Sequence, residues 1–251
     1  LARVRGFSSS RDMALFPDQV DTQVYDNLIA AVREGLPLVH RYYELKRRRN
    51  DLEQLRHCDL YLPFVKDVKT SYPFDQAVDT VCSALVPLGD EYIRILKDGL
   101  TAGWVDKYEN KGKRSGAFSA GSYTGYPYIL LNYKEDVLRD LFTLAHEAGH
   151  SMHSYYSVRN NPFQHYNYTI FEAEVASTFN EQLLGEHLFS QTDDPAMQAY
   201  IIGKQLDDIT ATIFRQTMFA EFEHVIHAAY EGGTPLTTDL LRSSYRDLMT
   251  D

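Results

Sequence analysis

The sequence predicts a mainly α-helical protein with one small β-sheet, and three observations carry that expectation. Apolar residues recur at helical spacing over most of the 251 positions. Glycine, Tyr, Ser and Thr are instead concentrated between Gly99 and Asn132, which argues for short strands and turns. Within that segment Pro127 precedes Tyr128-Ile-Leu-Leu-Asn-Tyr133, the clearest strand signal in the chain.

The elements follow in order. Val20, Val24, Leu28, Ile29 and Val32 mark a first helix, and Gly35 stands where a C-cap would fall. Val39, Tyr42, Leu45, Leu52 and Leu55 mark a second helix from Leu36 to about Leu62, ending before Pro63. Its basic run Lys46-Arg-Arg-Arg49 is followed at once by Asp51 and Glu53, as on an ordinary solvated face. A third helix is predicted from Phe74 to about Asp98, bent at Pro87. Beyond the strand, helices are predicted at about 136 to 156, 170 to 188, 196 to 231 and 236 to 249, with Pro195 and Pro235 near the last two starts.

Composition narrows the function classes. The chain carries 25 Lys and Arg against 35 Asp and Glu, a formal charge of −10, which disfavours a nucleic-acid partner because phosphate contacts need clustered cations. Hydrophobic residues make up 44%, enough for a core without disulfide or metal staples. Cys58 and Cys82 form no C-x-x-C pair, so a cysteine zinc site is not expected and a reducing, cytoplasmic setting fits best. No run approaches the roughly 18 apolar residues of a membrane span, so no membrane partner is expected. The first residues, charged and without an apolar stretch behind them, do not read as a secretory signal. A start at Leu1 rather than Met leads us to expect a piece of something longer.

The chemistry gathers in His146-Glu147-Ala148-Gly149-His150, an H-E-x-x-H inside an amphipathic helix. Histidines at i and i+4 lie about 40° apart around the axis and about 6 Å along it, so both imidazoles can reach one ion. Zinc suits them. Glu147 lies about 100° from His146, beside the ligand stripe, where its carboxylate can serve a water rather than the metal. A catalytic zinc takes three protein ligands, so a third must come from elsewhere. His153 is seven residues from His146, about 10.5 Å of helical rise, too far for a ligand of the same ion; a substrate-facing or packing role is expected. Glu174 in the next predicted helix is the expected third ligand, with small residues after it that permit close approach to the first zinc helix. There Phe171, Val175 and Phe179 are expected to form a buried face, Glu174 and Glu181 share another, and Glu172 points about 200° away from Glu174.

These motifs, taken together, resemble the oligoendopeptidase F branch of the thimet oligopeptidase family of zinc metallopeptidases. The likeness rests on His146-Glu-Ala-Gly-His150-Ser-Met-His153 and on Glu174-Val-Ala-Ser-Thr-Phe-Asn-Glu181. It extends to Arg5-Gly-Phe-Ser8, His57-Cys-Asp-Leu-Tyr61, Tyr108 to Ala117, Pro127 to Asn132 and Phe214 to Phe222. The resemblance implies a helical zincin-like metallopeptidase domain with a small sheet beside the zinc helix. It implies one zinc ion held by His146, His150 and Glu174, with Glu147 activating water, and an oligopeptide substrate.

The resemblance also implies an edge strand beside the zinc helix that receives an extended peptide, and Tyr128 to Asn132 with Ser119 to Tyr123 match it. Gly121, Tyr123, Leu131, Asn132 and His153 are accordingly the expected substrate-binding residues, with Gly121 and Gly125 allowing close backbone approach. Gly149 inside the zinc helix costs about 1 kcal/mol against Ala, so a close contact is expected there. One departure stands out. Family members carry a His- and Tyr-rich segment C-terminal to the zinc helices, and nothing before Asp251 matches it; the surroundings of His224, His227 and Tyr230 differ. Residues 1–251 are therefore expected to be a metallopeptidase catalytic domain without its C-terminal part. A non-catalytic zinc-containing peptide-binding or structural fragment is the rival reading.

Overall fold

In a computed structural model that describes residues 1–65, 68 and 70–250, the chain divides into two compact units, Leu1–Phe64 with Ile202–Asp251, and Val65–Ile201. In the first unit α1 (Ser10–Leu15) is capped by Ser9, whose hydroxyl accepts from the Asp12 N–H, and α2 (Thr22–Arg49) follows. The predicted stop at Gly35 does not occur; α2 runs through it and through Pro37. A Cβ at Gly35 would lie 3.1 Å from the Phe214 ring, so this glycine serves a close packing contact rather than a cap. Val39, Tyr42 and Lys46 line the buried stripe of α2. Lys46 is fully enclosed, donating to the Leu60 carbonyl at 2.6 Å and pairing with Asp207 at 3.0 Å. Of the basic run, then, Lys46 is not solvated, while Arg47 and Arg48 pair with Glu44 on the outer face. The helix ends at Arg49, short of Leu62, where the Asn50 side chain caps the Lys46 carbonyl and Asp51 takes a φ of 53°.

In the second unit the predicted bent helix is two helices, α3 (Phe74–Ala84) and α4 (Asp90–Thr101). Pro87 sits in a single 3₁₀ turn between them, and Gly89 adopts a φ of 97° that other residues avoid, so the chain breaks rather than bends. Strands β1 (Val105–Asp106), β2 (Phe118–Ala120) and β3 (Tyr128–Leu130) form one sheet in the order β1-β3-β2. β1 runs parallel and β2 antiparallel to β3. The strand predicted over 128–133 is thus the centre of the sheet and not an edge, and β2 is the strand left at the border beside β3. Helices α5 (Leu138–Asn160) and α6 (Ile170–Ser190) complete the unit, around a core that includes Val78, Leu96, Ile129, Leu141 and Leu144.

The apolar stripe expected to bury α6 faces outward instead: Phe171, Val175 and Phe179 are 68%, 65% and 53% exposed. Ser177, Asn180, Leu184 and Leu188 form the inward face. Back in the first unit, α7 (Pro195–Ile209, whose first turns belong to the second unit), a π-helical turn (Thr210–Phe214) and α8 (Arg215–Glu231) replace one long predicted helix. The π turn carries the Phe214 ring that meets Gly35. α9 (Thr238–Thr250) follows. Among the described residues no helix is long and apolar enough to cross a membrane.

Candidate metal centre

The centre is built where α5 and α6 cross, and small residues set the distance. A Cβ on Gly149 would fall 2.6 Å from the Ser177 Cα and 2.7 Å from the Ala176 carbonyl oxygen, so only glycine admits α6 this closely. That is the contact expected from a helical glycine. Asn180, almost fully buried, ties the helices by donating to the Ala145 carbonyl at 3.2 Å.

At this crossing three side chains converge. His146 Nε2 and His150 Nε2 are 3.1 Å apart, and Glu174 Oε2 lies 3.3 Å from the first and 3.4 Å from the second. Ligands about 2.0–2.1 Å from a tetrahedral zinc stand about 3.3–3.4 Å from one another, so two sides of the triangle match such an ion and the His146–His150 side is slightly shorter. All three side chains are anchored by α6, the two imidazoles on the nitrogens turned away from the triangle and Glu174 on the oxygen that faces it. His146 Nδ1 meets Glu181 Oε1 at 2.7 Å, the Ala173 carbonyl accepts from the His150 ring, and the Ser177 hydroxyl donates to Glu174 Oε2 at 2.7 Å.

Glu147 stands beside the triangle. Its carboxylate is buried, receives the Ser119 backbone N–H, and leaves Oε2 without a protein partner. Burial raises its pKa above the ordinary carboxylate value, and the Glu174 charge adds to this against the opposing pull of His146. Burial works against the charged form of His146 too, yet the Glu181 hydrogen bond and charge outweigh it and hold its pKa above the usual imidazole value. His150 is lowered, by burial first and by His146 next.

The remaining predicted residues spread around this centre. His153 stacks flat on Tyr168 at 3.7 Å between ring centres and stands apart from the three convergent ligands. Tyr123 donates to the Asn161 carbonyl at 3.3 Å and packs its ring against Phe163 and Tyr166. Asn132 spends its amide on the Arg114 and Gly116 carbonyls. Leu131 is only 2% exposed, a core residue whose N–H goes to Asp106. Gly121 packs against Pro127, where a Cβ would approach the Pro127 Cα to 3.3 Å, and Gly125 lies against the Ser122 hydroxyl, so both glycines serve the turn between β2 and β3.

Two grooves lie in the same unit, and His146, Glu147, His150 and Glu174 line neither. One, of about 410 Å³, is lined by Ala117, Asn132, Val137, Asp140 and Thr143. The other, of about 330 Å³, is lined by Ser119, Gly121, Ser154, Tyr155 and Tyr168. β2 or the residue before it contributes to both, Ala117 to the first and Ser119 to the second. Because Ile129 and Leu131 send their N–H groups toward β1, residues 128 and 130 face β2, and alternation turns the main-chain groups of Ser119 away from the sheet. Sequence reasoning missed the anchoring parts played by Ser177 and Glu181; their placement three and seven residues after Glu174 was the available signal.

Comparison with known proteins bears on the family of the chain. Residues 1–251 match the family described as Peptidase family M3. An oligoendopeptidase F homolog from Borreliella burgdorferi is 50% identical over 250 residues, covering 99% of this chain and 42% of that protein. Oligopeptidase PepF from Bacillus subtilis is 48% identical over 98% of this chain and 37% of its own length. The crystal structure of oligoendopeptidase-F from Enterococcus faecium, 36% identical, superposes with a TM-score of 0.67 over 98% of this chain and 36% of that one. The chain therefore spans about two fifths of the length of these relatives. Matched from its first residue to its last, it belongs to peptidase family M3.

Proposed function

We propose that this chain carries the active site of a zinc metallo-endopeptidase that hydrolyses internal bonds of short oligopeptides. The triangle formed by His146 Nε2, His150 Nε2 and Glu174 Oε2, with sides of 3.1, 3.3 and 3.4 Å, supports this reading most directly. Those three residues hold the ion, leaving the open position that a catalytic zinc requires. Bound zinc supplies a Lewis acid that polarises a carbonyl and makes water acidic enough to act near neutral pH. Glu147, enclosed and with a pKa raised by burial, takes the proton of the attacking water and passes it to the leaving amine.

The substrate lies extended along the border of β2 and pairs with main-chain groups such as the Ser119 carbonyl, the Ser119 N–H being taken by Glu147. Main-chain pairing gives affinity with little sequence choice. The oligopeptide class rests on the relatives named above. Cys58, exposed, and Cys82, buried, are both unpaired, which supports a reducing setting such as the cytoplasm.

Replacing Glu147 by Gln tests the mechanism. The purified protein is expected to hold about one zinc, as a mononuclear site requires, and Glu147→Gln to keep that zinc while cleavage of an internally quenched oligopeptide falls by about 10²- to 10⁴-fold. Unchanged cleavage by the zinc-loaded variant would overturn the assignment of the base.

A further inference from the structure

The geometry points to Glu181 as a positioning residue that fixes the tautomer of His146 and so turns a lone pair of Nε2 toward the ion. The inference rests on the zinc reading above and extends it to a residue outside the ligand set. Helices α5 and α6 run antiparallel, since Ala173 meets His150 while Asn180 meets Ala145 and Glu181 meets His146. Seven residues separate Glu174 from Glu181, about 700° of helical turn, so the two carboxylates share one face of α6 about 10.5 Å apart along its axis. One face thus offers a ligand at one level and a partner for the opposite nitrogen of His146 two turns on.

The chemistry leaves little choice of proton. A neutral imidazole carries one N–H, and an ionised carboxylate can only accept. At 2.7 Å from Glu181 Oε1, Nδ1 must be the protonated nitrogen; the opposite tautomer would set a lone pair against the carboxylate and aim an N–H at His150 Nε2. Glu181 is itself enclosed, with its side chain 20% exposed against 57% for Glu174, so it is not a solvated helix carboxylate. Nor is it a fourth ligand, because the imidazole ring stands between it and the point where the three ligand atoms converge.

Two readouts test this. Zinc affinity of the full chain, measured by competition with a chelator, is expected to fall about 10- to 100-fold in Glu181→Leu. It is expected to stay within a few fold of wild type in Glu181→Gln, whose amide oxygen still accepts from Nδ1. A leucine variant that binds zinc as tightly as wild type, or a glutamine variant as weak as leucine, would overturn the inference. Should the leucine variant not fold, long-range nitrogen–proton NMR of histidine-labelled wild type, free of zinc, decides it. The neutral His146 ring is expected with its proton on Nδ1, and a proton on Nε2 overturns the assignment. Wild-type protein that takes up no zinc would instead refute the zinc reading, and the tautomer measurement would still decide the part played by Glu181.

Discussion

Helices α4 and α6 belong to the same unit and are built by opposite rules. α4 buries Ile95, Leu96 and Leu100 and turns its charges outward, as an amphipathic helix does. α6 turns Phe171, Val175 and Phe179 outward and, over its first half, buries Ser177 and Asn180 against α5, while Leu184 and Leu188 further on join the core. The difference follows from what each helix meets. α4 meets an apolar core, where area removed from water decides orientation. α6 meets the H-E-x-x-H helix, where the Glu174 carboxylate, two anchors for imidazole nitrogens and a glycine contact all lie on one face. A helix that hides polar groups and shows apolar ones marks a place where the site, rather than the core, sets the packing.

Substitutions in the two helices separate these rules, and chemical denaturation reads them. Leu96→Ala, at a fully enclosed α4 position, is expected to lose about 2–5 kcal/mol of stability. Gly149→Ala places a methyl group 2.6 Å from the Ser177 backbone and is expected to lose about 1–3 kcal/mol while weakening zinc binding. A Gly149→Ala protein as stable as wild type would mean that the helices can part without penalty. Asn180→Ala leaves the Ala145 carbonyl without its side-chain donor and is expected to lose about 1–3 kcal/mol. At the small end, Phe171→Ser is expected to change stability by less than about 0.5 kcal/mol. A large loss there would restore the apolar face of α6 to the core.

Much of this was legible in the sequence. The H-E-x-x-H spacing carries its own geometry, because i and i+4 on a helix fix which side chains meet, and Glu174, expected from the need for a third ligand, does converge with the two histidines. Periodicity showed that α6 has two faces but not which one is covered, since that depends on a partner distant in the chain. Sheet order is nonlocal for the same reason: Tyr128 to Leu130 read as a strand, but its central place depends on β1. Gly35 read as a helix stop, yet it lies inside a continuous α2 and meets the ring of the remote Phe214. The basic run hid a buried Lys46 because its partner, Asp207, is equally remote.

Metal content after exhaustive dialysis bears most directly on the convergence of His146, His150 and Glu174. Elemental analysis is expected to find about one zinc per wild-type chain, and only traces in His150→Ala and Glu174→Ala proteins whose circular dichroism matches wild type. Either variant retaining the wild-type amount of zinc would contradict the three-ligand centre.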